Sequence, residues 1–310
     1  MRCCVASMKR SVTSSSETQP RRLSSPPTTV RREPRHVSLQ GELPQSSLAL
    51  GTAGFAFGGH PLEDAVTTIR GAVHGGVRLI DTARAYARPG EESTAEVIVG
   101  RALAQLEGAD VLVATKGGHW RDGEAFPVDG RASTLRAHCE ASLRALGVPQ
   151  IDLYFLHHVD PVVPIEESVA ALDELRREGL VRHVGVSNVS RDELDRASRV
   201  TEISAVQNRL SLAFPADLPL AGECARRGIV FLAYSPLGGA AAAPPPPAVE
   251  IARERGVSHA QVQLAWLRAV SPEIVPILGA TRPATVADAL RARELRLSPG
   301  ALARLSAAHA

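Results

Sequence analysis

The sequence predicts an α/β protein whose main part is a single (β/α)8 barrel of the TIM type. Short runs rich in valine, isoleucine and leucine alternate with amphipathic helical patterns, and the alternation repeats eight times between residues 37 and 310. Such runs are typical of parallel strands that are buried on both faces. Eight strand–helix units fit a closed barrel. An open, doubly wound sheet is the alternative that the pattern leaves open.

The predicted elements follow one another without long gaps. Strands are expected at 48–52, 77–81, 111–116, 152–157, 182–187, 203–208, 229–234 and 273–278. Helices are expected at 61–75, 91–106, 131–146, 217–227, 258–269 and 283–293. Two further helices are indicated by a stop signal at Gly179 and by the capping box that Ser190 and Glu193 form.

Two connecting segments carry their own predictions. A short hairpin is expected around residues 36–50, turning at Gly41 and closing the barrel floor. The proline run from Pro244 to Pro247 is typical of a stiff surface connector after the seventh strand.

Residues 1–36 differ in composition from the rest of the chain. They carry eight basic residues against two acidic ones, and serine, threonine and proline fill most of the remainder. Such a segment buries too little apolar surface to fold, so a disordered tail is predicted. The composition is also typical of an organellar transit peptide, and a translation start placed too early is a third reading.

Composition argues against several classes of function. A net charge of +2 over 310 residues indicates neither nucleic acid nor a membrane surface as a partner. No apolar stretch approaches the ~18 residues that span a bilayer. Cys3, Cys4, Cys139 and Cys224 show no CxxC spacing and no nearby histidine pairs, so we expect no metal site and no disulfide framework. This cysteine usage fits a reducing compartment, and we expect a cytoplasmic location. The oligomeric state is left open.

Four ionisable side chains are predicted to meet at one end of the barrel. Asp81, Lys116 and His157 end the second, third and fourth strands, and Tyr86 follows Asp81 by five residues. Active sites of such barrels lie at the carboxyl ends of the strands. Each residue alone has a structural explanation, such as a helix cap or loop packing. Lys116 is the least easily explained, because only Lys9 shares its residue type among 35 lysines and arginines.

Together these side chains could donate a proton to a carbonyl oxygen. The Lys116 ammonium would lower the pKa of Tyr86, and Asp81 would pair with Lys116 and keep it charged. His157 would orient the carbonyl. None of these groups supplies a hydride, so a cofactor is required.

The cofactor is not bound by the usual dinucleotide motif. No two glycines lie two positions apart, so GxGxxG is absent. Because Ser190 already caps a helix, Ser187 and Asn188 are expected to be free for a ligand, and amide side chains can pair with a carboxamide. The segment GATRP at 279–283 offers Thr281 and Arg282 to a phosphate group ahead of a helix. The alternative for each of these residues is that it is an ordinary polar residue of a loop.

The sequence resembles the aldo-keto reductases over about residues 37–295. The matching segments are LALGT at 48–52, IDTARAY at 80–86, VGRAL at 99–103, ATKGG at 114–118, IDLYFLH at 151–157, VGVSN at 184–188, VQNRLSL at 206–212 and FLAYSPLG at 231–238. Their order and spacing match along the whole predicted barrel.

The resemblance implies an NAD(P)H-dependent oxidoreductase that reduces an aldehyde or a ketone to an alcohol. Tyr86 would be the general acid, with Lys116 and Asp81 tuning it and His157 orienting the substrate. Arg282 is similar in position to the residue that clamps the 2′-phosphate, so NADPH is favoured over NADH. The implied cofactor contacts are Thr52, Asp81, Ser187, Asn188, Gln207, Tyr234, Ser235, Leu237, Gly279, Thr281, Arg282 and Asp288. The chain departs from the family pattern at Ala87 and Ala289.

Substrate identity is not readable from the sequence. Phe55, Trp120 and His158 are the candidate substrate-binding residues, with Phe57, His119 and Phe126 near them.

Two other functions remain as alternatives. An NADPH-binding regulatory or sensor subunit with little turnover would use the same fold. A Schiff-base aldolase would use Lys116 as its nucleophile, although a neighbouring Asp81 raises the lysine pKa and opposes that chemistry.

Overall fold

Eight parallel strands form a closed barrel in which each strand pairs with the next one along the chain. The computed structural model describes residues 38–43, 47–106, 108–239 and 242–307. The strands are β1 Ala49–Gly51, β2 Leu79–Asp81, β3 Leu112–Gly117, β4 Ile151–Leu156, β5 Val181–Ser187, β6 Ala205–Arg209, β7 Val230–Tyr234 and β8 Ile274–Leu278. Ala49 pairs with Leu79 on one side and with Ile277 on the other, which closes the barrel and excludes the open sheet.

The helices pack around the strands, most of them on the outside of the barrel. They are α1 Leu39–Glu42, α2 Ala53–Phe57, α3 Leu62–His74, α4 Thr94–Leu103, α5 Ala132–Leu146, α6 Ile165–Arg177, α7 Arg191–Ser198, α8 Leu218–Arg227, α9 Pro246–Arg255, α10 His259–Val270, α11 Pro283–Leu290 and α12 Pro299–Ala307. A 3-10 turn, Arg291–Arg293, follows α11. Within the residues described, no helix combines the length and the apolar character needed to cross a membrane.

Alternation along the strands produces two hydrophobic cores. Leu50 and Ile80 point outward and pack against the helices, whereas their neighbours Ala49 and Leu79 fill the barrel interior. Parallel strands covered on both faces need apolar side chains at both sets of positions, which is why the sequence shows continuous runs. The strands lie within two residues of their predicted bounds, so the predicted fold is confirmed.

Local signals set several helix ends where they were expected. Ser190 and Glu193 form a complete capping box at the start of α7. α6 ends at Arg177, and Gly179 follows it with a φ of 81°, a left-handed conformation that glycine adopts without strain.

The predicted hairpin around residues 36–50 is wrong in its described part. Leu39–Glu42 form a helical turn instead, because the Ser38 hydroxyl accepts a hydrogen bond from the Gly41 N–H at 3.3 Å and caps it. Leu39 and Leu43 reach the inner core beside Ala49, so the segment still covers the barrel floor. Residues 44–46 and the predicted tail at 1–36 lie outside the described residues.

The proline run also differs from its prediction. Pro246 and Pro247 begin α9 rather than continuing a stiff connector. Proline is tolerated in the first turn of a helix because its missing N–H would have no partner there. The terminal α12 was likewise not predicted, and neither was α2, whose five residues are too few for a clear helical period.

A close contact between two neighbouring strands gives a test of how the barrel is packed. Gly185 in β5 pairs with Phe155 in β4, and a Cβ added at Gly185 would lie 2.4 Å from the Phe155 ring. We expect Gly185→Ala to lower the free energy of unfolding by about 1–3 kcal/mol, measured by urea denaturation. Gly71→Ala is the control, because exposed Gly71 in α3 has open space around it and should gain about 0.5–1 kcal/mol. An equal loss of unfolding free energy in both variants would contradict this close contact.

Candidate active site

The four predicted ionisable residues lie together at the carboxyl end of the barrel. Asp81 ends β2, Lys116 lies in β3, His157 follows β4 directly, and Tyr86 lies in the loop after β2. Asp81, Lys116 and His157 are buried, whereas Tyr86 is partly exposed. Parallel neighbouring strands bring these positions to one edge, as the strand assignment required.

Lys116 is the centre of the hydrogen-bond network. Its Nζ donates to both carboxylate oxygens of Asp81, at 2.8 and 2.9 Å, and to the Thr82 carbonyl at 2.8 Å. The Tyr86 hydroxyl lies 3.4 Å from the same Nζ. On the other side, Gln207 Nε2 donates to Asp81 Oδ1 at 2.8 Å, so the carboxylate is held from two strands.

The electrostatics of the lysine and the tyrosine differ in part from the expectation. Burial lowers the pKa of Lys116, but Asp81 and Tyr86 outweigh it, and the net pKa is raised. Burial raises the pKa of Tyr86. Lys116 lowers it, as predicted, but by less than burial raises it, so the net pKa of Tyr86 is raised. At neutral pH, Tyr86 is therefore a protonated phenol beside a charged ammonium.

His157 is a neutral imidazole at neutral pH. Burial and the neighbouring Lys116, His119 and His158 hold its pKa well below the usual range. Its Nδ1 is buried and has no hydrogen-bond partner among the described residues. His158 stacks on it with ring centroids 5.0 Å apart, and His119 meets it edge-on at 4.9 Å. A neutral ring can still donate one N–H to a carbonyl oxygen.

A cavity of about 570 Å³ extends from Tyr86 and His157 across the barrel mouth to α11. Most of the residues predicted to bind a cofactor line it, namely Thr52, Asp81, Ser187, Asn188, Gln207, Tyr234, Ser235, Leu237, Gly279 and Asp288. The lining also includes Ala53, Gly54, Ala260 and Thr285, which sequence reasoning missed. Ala53 and Gly54 lie on the unpredicted α2, and small residues gave no chemical signal.

Asn188 is not free, contrary to the expectation. Its Oδ1 accepts from the Tyr234 hydroxyl at 2.8 Å, and its Nδ2 donates to the His157 carbonyl at 3.0 Å. Ser187 donates to the Gln207 carbonyl at 2.7 Å. Asn188 and Ser235 have φ values of 57° and 50°, and such strained backbone is concentrated at functional sites.

The donor set still fits a nicotinamide dinucleotide. Gln207 donates to Asp81 through Nε2, which leaves Oε1 for a carboxamide N–H, and Tyr234 presents an aromatic ring to the same cavity. A Cβ added at Gly279 would meet no atom within 4 Å, so there is room for a ligand against the backbone after β8.

The far end of the cavity is formed by Thr285, Asp288 and Ala289 of α11. Arg282 is the N-cap residue of α11, with an exposed side chain that makes no capping bond. The Thr281 carbonyl accepts from Thr68 at 3.2 Å. Asp288 is already held by Ser258 at 2.6 Å and Gln261 at 2.7 Å. Neither Thr281 nor Arg282 lines the cavity itself, although Ala280 before them and Thr285 after them do.

The predicted substrate residues separate into different environments. His158 lines the cavity. Phe55 is fully buried in the outer core and Trp120 packs edge-on against His138 at 5.3 Å, so neither is brought to the cavity. Phe57 lies instead beside Tyr86, with ring centroids 5.8 Å apart. The part of the chain that the structure describes contains no group of three or more His, Cys, Asp or Glu placed to hold a metal ion.

The geometry agrees with what comparison of the whole chain finds. A family model described as the aldo/keto reductase family matches residues 47–310. The chain belongs to the aldo/keto reductase family. It is thus an oxidoreductase by family, and the resemblance that the motifs indicated is confirmed.

Relatives of this aldo/keto reductase cover most of the chain. A Schizosaccharomyces pombe protein described as an uncharacterized oxidoreductase is 32% identical over 246 residues, covering 78% of each chain. The glycerol dehydrogenase from Gluconobacter oxydans is 27% identical with a TM-score of 0.76, covering 88% of this chain and 94% of its own. An aldo/keto reductase from Klebsiella pneumoniae, solved with NADP and acetate, is 26% identical with a TM-score of 0.71, covering 86% and 91%.

The histidines at the mouth of this aldo/keto reductase lead to a prediction about pH. Burial, followed by His119 and Lys116, lowers the pKa of His158 to about 4, against about 6.5 in an unfolded chain. Between these values the folded state binds fewer protons, so the free energy of unfolding should fall as the pH drops from about 6.5 to about 4. His158→Gln should make that fall less steep in urea denaturation. An imidazole NMR titration that places His158 near pH 6.5 would contradict this.

Proposed function

We propose that this aldo/keto reductase reduces an aldehyde or a ketone to an alcohol by hydride transfer from NADPH, with Tyr86 as the general acid. The observation that carries the proposal is the Lys116 Nζ, which lies 3.4 Å from the Tyr86 hydroxyl while a buried Asp81 holds it in place. Asp81, Lys116 and Tyr86 lie together at one end of a cavity whose other residues suit a dinucleotide.

The residues divide the reaction between them. The nicotinamide, when bound, supplies the hydride to the carbonyl carbon. Tyr86 gives its proton to the carbonyl oxygen, and Lys116 stabilises the phenolate that remains. The raised pKa of Tyr86 keeps the phenol protonated before the reaction, and neutral His157 donates an N–H to the substrate oxygen.

Support for NADPH comes from Arg282 and from the relatives. Two structures of aldo/keto reductase from Klebsiella pneumoniae that are similar to this chain contain NADP in one case and NADPH in the other. Exposed Arg282 at the start of α11 offers a planar guanidinium to a 2′-phosphate. The free thiols of Cys139 and Cys224 fit the cytoplasmic location that the sequence predicts.

The raised pKa of Lys116 argues against the aldolase alternative. Schiff-base formation requires an unprotonated amine, whereas Asp81 and Tyr86 keep Lys116 charged.

Removing the Tyr86 hydroxyl tests the acid role directly. Tyr86→Phe is expected to lower kcat for carbonyl reduction about 10²- to 10⁴-fold, because the proton donor is lost. The Kd for NADPH, followed by fluorescence, should stay nearly unchanged. Tyr154→Phe is the matched control, since the Tyr154 hydroxyl is buried and donates to the Leu135 carbonyl behind the barrel wall. Unchanged turnover in Tyr86→Phe would refute the assignment, and tight NADPH binding without turnover across a carbonyl panel would favour the sensor alternative.

The choice of cofactor depends on Arg282. We expect Arg282→Ala to raise the Kd for NADPH about 10- to 100-fold, because a charge-assisted hydrogen bond to the 2′-phosphate is lost. The Kd for NADH, which lacks that phosphate, should change little. Arg291→Ala, an exposed arginine after α11, serves as the control. Equal weakening for both cofactors would show that Arg282 does not select between them.

A further inference from the structure

Four arginines lie at the amino end of the barrel, on the face opposite the cavity. Arg78 directly precedes β2, and Arg268 lies in the last turn of α10, which leads into β8. Arg293 ends the 3-10 turn after α11, and Arg296 follows it by three residues. Active sites of such barrels lie at the other face, at the carboxyl ends of the strands. We call Arg78, Arg268, Arg293 and Arg296 the arginine cluster.

The members of the arginine cluster are close enough to repel one another. Burial and the charge of Arg78 lower the pKa of Arg293, and burial, Arg296 and Arg293 lower the pKa of Arg268. Within the described ranges, Arg78, Arg293 and Arg296 form no ion pair with a carboxylate. Like charges held together without a counter-charge are unfavourable, so an anion that binds between them is stabilised.

Arginines elsewhere in the chain are placed differently. Arg196 lies 2.6 Å from Glu166, and Arg304 lies 3.0 Å from Glu250, so these charges are offset by carboxylates. Arg101 in α4 has no carboxylate partner among the described residues, but its side chain is exposed to water. Arg293 has neither a carboxylate nor full exposure to water.

Arg293 presents an unused pair of hydrogen-bond donors. Its Nη1 donates to the Gly75 carbonyl at 3.2 Å. Its Nε and Nη2, which form one edge of the guanidinium, are buried and have no hydrogen-bond partner among the described residues. The N–H groups of this edge lie side by side, which is the arrangement that binds two oxygens of an oxyanion. Buried donors without an acceptor are unfavourable, so this edge is suited to an anionic ligand.

Backbone carbonyls hold the guanidinium groups in place. Arg268 Nη1 donates to the Ala292 carbonyl at 2.7 Å, and Arg296 Nη1 donates to the Arg293 carbonyl at 2.8 Å. Gly76 has a φ of 91°, and a Cβ added there would lie 2.9 Å from Arg293 Nη1, so a glycine is needed for the close approach of this side chain. Donors fixed in advance lose little freedom when a ligand binds.

A phosphate group suits these donors better than a carboxylate. It carries three acceptor oxygens or more and a charge of about −1.5 to −2 at pH 7, so it can contact Arg293 and further arginines together. A carboxylate has two oxygens, which the single edge of Arg293 would already occupy. The side chain of Arg296 is exposed and that of Arg78 is partly exposed, so both can turn to admit the ion and donate to its remaining oxygens.

We propose that the arginine cluster is a phosphate-binding site at the amino end of the barrel. The ligand is a phosphate dianion, either free or as the end group of a small phosphate monoester. The Nε–Nη2 edge of Arg293 binds two of its oxygens, and Arg78 and Arg296 contact the others. The site is separate from the cavity and does not depend on the proposed carbonyl reduction.

An NMR titration tests the site directly. The arginine Nε–H resonances of ¹⁵N-labelled protein are followed at constant ionic strength as inorganic phosphate, methyl phosphate or acetate is added. NADP⁺ is present throughout to occupy the cavity. We expect the Nε–H resonance of Arg293, assigned by its absence from Arg293→Lys, to shift and saturate with phosphate or methyl phosphate. Whichever of the two binds more tightly identifies the free ion or the monoester as the ligand. Acetate should bind about tenfold more weakly or not at all.

Matched variants locate the binding. Calorimetric titration with inorganic phosphate should give a Kd about tenfold or more higher for Arg293→Lys, which loses the paired donors, and for Arg78→Gln, which loses a charge. Arg101→Gln removes the same charge from an exposed position in α4 and should change the Kd less than about twofold. Arg282→Ala should also leave it unchanged, because that arginine belongs to the proposed cofactor site.

Urea denaturation provides a second measurement that does not depend on the NMR assignment. Phosphate should raise the midpoint of unfolding for the wild type and Arg101→Gln, and raise it less for Arg293→Lys and Arg78→Gln, because a ligand stabilises only the folded state that binds it. The proposal is overturned if the Arg293 resonance does not saturate, if acetate binds as tightly as phosphate, or if all variants bind phosphate equally. A loss of binding in Arg282→Ala alone would place the phosphate in the cofactor site and would overturn it as well.

Discussion

The buried ion pair between Lys116 and Asp81 is the interaction on which the rest of the site depends. Lys116 is fully buried, and its ammonium is held by both Asp81 oxygens, the Thr82 carbonyl and the Tyr86 hydroxyl. A buried charge is tolerated only when its partners are complete, and removing one partner of such a pair costs about 3–5 kcal/mol. The same contacts therefore stabilise the fold and hold Tyr86 in place. They also join β2 to β3 at the barrel mouth.

Closure of the barrel connects this ion pair to the cavity. Gln207 reaches across from β6 to Asp81, and Asn188 after β5 donates to the carbonyl of His157 after β4. Tyr234 at the end of β7 extends this series of hydrogen bonds by donating to Asn188. The half of the mouth that contains the proposed proton donor Tyr86 and the half proposed to bind a nicotinamide thus belong to one hydrogen-bonded network. Because its members come from six strands, β2 to β7, closure of the barrel brings them together.

Local sequence signals predicted most of the fold for a physical reason. Strands buried on two faces leave continuous apolar runs, and helix ends such as Ser190 and Gly179 depend on neighbours within three or four residues. The prediction missed elements where the local sequence signal was weak or indicated a different structure. α9 begins inside a proline run, and the Ser38 cap turned an expected hairpin into a helical turn.

The sequence by itself determined which chemical groups reach the barrel mouth, because the residue that ends a parallel strand is fixed once the strand is recognised. Recognition of the strands was enough to place Asp81, Lys116 and His157 at the barrel mouth. Tertiary structure alone decided how these groups behave. Burial raises the pKa of Tyr86 above the value that its neighbour Lys116 would set, and packing sends Phe55 into the core while Phe57 stays exposed. Desolvation and side-chain direction depend on atoms distant in the chain, and no local pattern records them.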